Sequence, residues 1–424
     1  MTSSESASIF VSLAAYRDTQ LVPTVEDCLR KASHPDRLRF GICWQRDDNE
    51  PPLPFASDPR FRIREIHWRE SKGACWARAE IMNLWQGEDW FLQVDSHCRF
   101  APGWDDALLR TAAATGSAKP IVSTYPPPFS PGPNEILAGD PLQMVFQQFT
   151  PEGIPQLRPG PFPRGGSPGR PLRARYLAAG FLFAPGSLVR EVPYDPELYF
   201  MGEEASMTVR AFTHGYDLFH PAEAIVWHDY TRAQEPKHWG DHTDEARPST
   251  RWNELDEGSR RKVSRLLAGE PLDAFGLGAA RTLKDYEAYA GLSFRHRKAQ
   301  GYTLRGAEPP NPDAAADWPD KIYPWIATLR FTPEQVPKNS LHDSQLWSLS
   351  ILDDAGNEIC HRDVQREELA TLQAAQGELA IVCEFSSDTA PATWTLWPLT
   401  TAGQWLPKFG AKFSDGEFAI LSER

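Results

Sequence analysis

The sequence has few cysteines, no CxxC pair, no long apolar run and no surplus of positive charge. Each absence excludes something. The six cysteines (Cys28, Cys43, Cys75, Cys98, Cys360 and Cys383) are scattered through 424 residues. That argues against a disulfide framework or a thiolate zinc site, and for free thiols in a reducing compartment. No stretch approaches the ~20 apolar residues of a membrane helix, so no membrane span is expected. The N-terminal MTSSESASIFVSLAAY has no positive region ahead of its short apolar run. It reads as a first core strand rather than a signal peptide, and a cytoplasmic location follows. A net charge of −13, with no stripe of basic and aromatic residues, leaves no face for neutralising phosphates. Nucleic acid is therefore not an expected partner.

What is present suits a two-domain globular protein: 41% hydrophobic residues, 15 Trp, and 38 Pro that imply long irregular segments. Residues 8–15, 38–45, 61–68, 90–94 and 120–125 read as strands. Helices are expected over 74–85 and Trp104–Ala114, with another carrying Val25, Cys28 and Leu29 on one face. Strands alternating with helices predict a mostly parallel, Rossmann-like sheet flanked by helices, with ligands at the carboxyl ends of the strands. Residues 126–175 are rich in Pro and Gly and lack periodicity, so they read as a long loop insertion. A strand is expected over Arg175–Ala184, where Ala179 and Gly180 would let a ligand approach the backbone closely. A helix with Glu203 and Glu204 at its start, ending at Gly215, and a strand over 223–228 come next. Further helices are predicted over 255–268 and 282–291. Composition marks 306–320 as a linker, and 321–424 as a small all-β, sandwich-like module. The catalytic domain would then span 1–305.

The sharpest feature is Phe91-Leu-Gln-Val-Asp95-Ser-His97-Cys98. An apolar strand ends in Asp-x-His, and on an extended chain both side chains would point to one side. A carboxylate oxygen with an imidazole suits Mn2+ or Mg2+ holding a diphosphate. The plainer reading makes Asp95 a turn cap and His97 an ordinary buried histidine. His228, at the end of an apolar strand, is the expected third ligand.

The pieces SLAAYRD (12–18), GACWAR (73–78), VDSHC (94–98), AAGFLFA (178–184), MGEEASMTVRAFTHGYDLF (201–219) and VWH (226–228) together resemble the GT-A glycosyltransferases. More closely, they resemble the cytoplasmic polypeptide α-N-acetylglucosaminyltransferases that modify hydroxyproline. The polypeptide GalNAc-transferases are similar at greater distance: their Trp-Gly-Gly-Glu-Asn stands here as Phe-Met-Gly-Glu-Glu. The resemblance implies a GT-A domain that takes UDP-GlcNAc as donor, with a protein or peptide hydroxyl as acceptor and retention of configuration. It implies a divalent cation on Asp95, His97 and His228. Arg78 is a candidate for the diphosphate, Tyr16, Arg17 and Asp18 for the uracil and ribose, and Asp47 for a weaker uridine contact. Glu203 and Glu204 are the acidic pair beside the sugar; as the bland alternative, both are helix N-terminal charges. Another UDP-sugar with a glycan or small-molecule acceptor, or a non-catalytic scaffold, are the competing readings. The sequence HWGDH (238–242) reads first as a polar loop and second as a further metal cluster on His238 and His242, one of which could order the acceptor side. Trp347, Trp394, Trp397 and Trp405 are read first as core and second as a sugar-stacking platform.

Overall fold

The computed structural model describes residues 7–421, apart from 133–134, 151, 163–169, 233–234, 244–250, 313–322, 339, 357, 365, 376, 388 and 402–403. The chain divides into two compact units, Met1–Ala316 and Asp317–Arg424. Most of the expected linker, from 313 onward, lies outside the described residues.

Twelve strands build most of the first unit: β1 Ile9–Tyr16, β2 Leu38–Arg46, β3 Phe61–His67, β4 Trp90–Asp95, β5 Cys98–Phe100, β6 Pro120–Ser123, β7 Gln143–Phe149, β8 Pro155–Gly160, β9 Leu172–Arg173, β10 Phe181–Pro185, β11 Asp217–His220 and β12 Val226–His228. Eight of them form one sheet in the order β3-β2-β1-β4-β10-β6-β11-β9. β10 runs antiparallel to both of its neighbours and β9 antiparallel to β11; every other pair is parallel. The expected mixed α/β architecture is present. Strand β1 is apolar almost throughout because both its faces are covered. Ile9, Val11, Leu13 and Ala15 pack with Leu21, Val25 and Cys28 of helix Leu21–Lys31 and with Trp104 and Leu108 of helix Trp104–Ala114. Phe10, on the opposite face, joins a core with Ile81 of helix Ala74–Met82 and Met207 and Val209 of helix Glu203–Thr213.

Three expectations are corrected. The segment 126–175 is not a plain loop: β7 and β8 pair in an antiparallel hairpin within it. Its alternation is too short and too interrupted by Pro to show in the sequence. The strand expected over Arg175–Ala184 covers only its end, β10, and the strand expected from 223 begins at Val226.

The second unit has a three-stranded and a four-stranded antiparallel sheet around one core that includes Leu329, Trp347, Leu349 and Trp394. Helix Arg366–Ala374 lies between two of its strands in sequence, so the module is not all-β. Leu369 and Leu372 bury that helix against the sheets' core. Of the four tryptophans considered as a platform, Trp347 and Trp394 are core, while Trp397 and Trp405 form an exposed pair with ring centroids 4.4 Å apart.

Candidate functional site

Parallel pairing carries the end of β4 to the carboxyl edge of the sheet beside the end of β1, with Ala14 opposite Asp95. Phe91, Gln93 and Asp95 alternate onto the face covered by helices Ala74–Met82 and Glu203–Thr213. The extended-chain geometry expected for Asp-x-His is not what unites the two residues. The chain bends at Ser96 and His97 before re-entering a strand at Cys98. Thr24 fixes that bend: its hydroxyl donates to the carbonyls of Ser96 (2.9 Å) and Cys98 (3.0 Å) and accepts from the Cys98 amide. Short strand β5 then pairs antiparallel with β12, placing His228 opposite Cys98. The Asp229 amide donates to the His97 carbonyl at 3.0 Å.

Asp95, His97 and His228 are thereby brought together, with one donor atom from each within 4.8 Å of the others. His228 Nε2 lies 3.1 Å from Asp95 Oδ2, and the two imidazole rings stand 4.6 Å apart. Burial opposes ionisation of Asp95, but the His228 hydrogen bond and the Arg78 charge outweigh it and hold the carboxyl well below the usual range. Burial, partly offset by the neighbouring carboxylates, lowers the pKa of His97 and favours the neutral imidazole a metal requires. His228 Nδ1 is buried without a hydrogen-bond partner among the described residues. One oxygen and two nitrogens suit a divalent transition metal, so the residues fit Mn2+ better than Mg2+, which prefers oxygen ligands.

Gly180 abuts this cluster because β10 runs antiparallel beside β4. A Cβ at that position would stand 3.0 Å from Asp95 Oδ2. The Ala179 amide donates to Glu204 Oε1 at 3.0 Å, and the Tyr125 hydroxyl to Oε2 at 2.8 Å. Burial raises the Glu204 carboxyl to about 7 despite these bonds. Glu203, one residue earlier, is fully inside and bonds to Arg78.

Arg78 is not an open phosphate fork. Its guanidinium is buried, one nitrogen on Glu203 and the other 2.7 Å from Asp95 Oδ1. Asp18 sits behind His97 and is nearly inaccessible, accepting from His97 Nδ1 at 2.8 Å and from the Ser96 hydroxyl. Burial opposes its ionisation, but the His97 hydrogen bond, the Arg232 charge and the Ser96 hydroxyl bring its carboxyl down to about 2.

The other nucleotide candidates form a separate group. Tyr16 and Arg17 both donate to Asp241 Oδ2, at 2.9 and 2.8 Å, and Arg17 also meets Asp47 at 3.1 Å. Arg17, held at a positive φ of 45°, lies 4.9 Å over the Trp68 ring. HWGDH is not a polar loop: a short helix, His238–Asp241, packs His238 on Tyr16, His242 just past its end meets Trp68, and Tyr199 bonds to His238 at 2.8 Å. Sequence reasoning missed Ser96, Tyr125, Trp68 and Asp241. Trp68, Ser96 and Tyr125 carried one signal, their place just past the carboxyl ends of β3, β4 and β6; Asp241 carried none.

The model of the family described as Glycosyltransferase (GlcNAc) matches residues 8–59 and 53–296. The chain belongs to this family. The matched region of this GlcNAc glycosyltransferase family member contains every residue of the cluster above. Among solved structures it is similar to one described as the crystal structure of GalNAc-T7 with UDP, GalNAc and Mn2+. That similarity has a TM-score of 0.45 at 14% identity, over 66% of this chain and 56% of the other. The chain thus spans little more than half the length of that protein. No curated protein gives a significant sequence match. No helix among the described residues is long and apolar enough to cross a membrane.

Proposed function

We propose that the protein is a GT-A enzyme that transfers N-acetylglucosamine from UDP-GlcNAc to a hydroxyl on a protein or peptide, with retention. The observation that carries this reading is the convergence of Asp95, His97 and His228 beside Gly180 and the Glu203–Glu204 helix start. Asp95, His97 and His228 would hold Mn2+ or Mg2+. When bound, such an ion neutralises charge developing on the diphosphate leaving group.

The chain's own residues do the remaining work. Arg78 keeps Asp95 ionised and aligned, and Gly180 leaves room against that carboxylate. Glu204, fixed by Tyr125 and the Ala179 amide, presents a carboxyl that is shared between protonated and ionised forms near neutrality. Such a group can hold sugar hydroxyls as acceptor or donor. In the retaining reaction the acceptor oxygen bonds to C1, and the C1–O bond to the diphosphate breaks. The hydroxyl proton passes to the departing phosphate on the same face, so neither glutamate need act as base. Tyr16, Arg17 and Trp68 offer aromatic and cationic surface for the nucleoside, with Asp47 and Asp241 positioning Arg17. The reading carries a cytoplasmic setting, because six unpaired thiols persist in a reducing compartment.

The test is calorimetry of UDP and UDP-GlcNAc with and without Mn2+, followed by product analysis with hydroxylated peptides. Metal-dependent nucleotide binding and a glycosylated peptide are expected. Absence of UDP binding at any metal concentration would overturn the reading.

A further inference from the structure

We infer that Asp18 is a positioning residue that sets the tautomer of His97, so that Nε2 is the atom His97 offers to the cation. This rests on the metal reading above. The geometry has three parts. Asp18 Oδ2 lies 2.8 Å from His97 Nδ1, with the carboxylate side chain 1% exposed. The Gln20 amide donates to Oδ1 at 2.9 Å and the Ser96 hydroxyl to Oδ2, so Asp18 is held from two directions. Arg232 approaches Oδ2 at 3.4 Å and supplies the positive charge that keeps a buried carboxylate tolerable.

A carboxylate can only accept, so the shared proton belongs to His97 Nδ1. Nε2 is then left with its lone pair, the form that ligates a metal. A ligating histidine fixed this way has one orientation and a more basic nitrogen, and removing the outer partner typically weakens metal affinity by about 10–100-fold. Asp18 follows β1 directly, and β1 is hydrogen-bonded to β4, so the sheet itself sets the separation between positioner and ligand. That placement differs from the uridine contact expected of Asp18 from sequence.

Two measurements on the full-length chain test the inference. The first is Mn2+ affinity by calorimetry for wild type, Asp18→Asn, Ser96→Ala and His97→Ala, with metal-free unfolding curves as the control for fold. Asp18→Asn should bind about 10–100-fold more weakly while the unfolding curve still shows a cooperative, folded protein. Ser96→Ala, which removes one of the groups that hold Asp18 but leaves the Asp18–His97 bond, should weaken binding less than Asp18→Asn. Equal affinity in Asp18→Asn and wild type, with binding lost in His97→Ala, would overturn the role of Asp18 and leave the metal reading intact. Unchanged binding in His97→Ala would overturn both. The second measurement needs no variant to fold well: nitrogen-15 shifts of the His97 ring in metal-free wild type. A proton on Nδ1 is expected, and a proton on Nε2 would overturn the inference.

Discussion

Arg78 donates to Asp95 across 2.7 Å inside the protein, and its second arm is held by Glu203. One guanidinium thus ties the last residue of strand β4 to the first residue of helix Glu203–Thr213. Two carboxylates and one cation share a site with little water, so removing the cation leaves both acids without their shared partner.

Removal of that cation should therefore cost stability as well as activity. Arg78→Ala strands Glu203, which is 3% exposed, without its partner. A loss of ~3–5 kcal/mol is expected from denaturant unfolding, the range for breaking a buried ion pair from one side. Arg78→Lys should recover part of it, because one ammonium cannot span both carboxylates. A loss below about 1 kcal/mol would mean the pair behaves like a surface salt bridge.

Glu204 gives a pH signature. Its carboxyl is raised by burial from 4.5 to about 7, so the native state holds a proton that the unfolded chain releases. Stability from this group is therefore fully present below about 4.5 and is lost as pH rises through about 7. The metal-free wild type should lose stability over that window by on the order of 1–3 kcal/mol relative to Glu204→Gln, which carries no titrating carboxyl. Parallel pH profiles for the two proteins would show that Glu204 is not perturbed.

The same residue separates binding from chemistry. Glu204→Gln should lower turnover far more than it weakens UDP binding, since the residue is assigned to the sugar and not the nucleotide. Steady-state kinetics beside UDP calorimetry decide this, and equal losses in both would reduce Glu204 to a structural role.

Gly180→Ala tests the close approach. The added methyl would crowd Asp95 Oδ2 at 3.0 Å, on a carboxylate already held by Arg78 and His228. Weaker Mn2+ binding with an intact fold is the expected result, read by calorimetry and circular dichroism. Wild-type affinity would mean Asp95 can move aside or is not a ligand.

The alternation of apolar strands with helices made the main sheet legible, because β1, β2 and β4 are apolar on both faces and helix Trp104–Ala114 has a clean apolar stripe. Asp95, His97 and His228 were legible as strand-end residues. They were also expected as one ligand set, but the means of their meeting was not legible, since it is the three-residue strand β5 and its pairing with β12. Three residues are too few to show any period. The bond between Asp18 and His97 joins positions 79 residues apart, and Asp18 in sequence looks like any acid after a strand. Helix His238–Asp241 was hidden because its burial comes from distant Tyr16 and Trp68 rather than from its own pattern. The hairpin β7–β8 and helix Arg366–Ala374 were hidden by neighbouring proline and by strong strand patterns on either side.

The most direct test of the central claim is release of UDP from a panel of UDP-sugars by wild type and His97→Ala, with and without Mn2+. The account predicts Mn2+-dependent release, greatest from UDP-GlcNAc, that is lost in His97→Ala while the fold is retained. Release that ignores the metal, or that survives in His97→Ala, would contradict it.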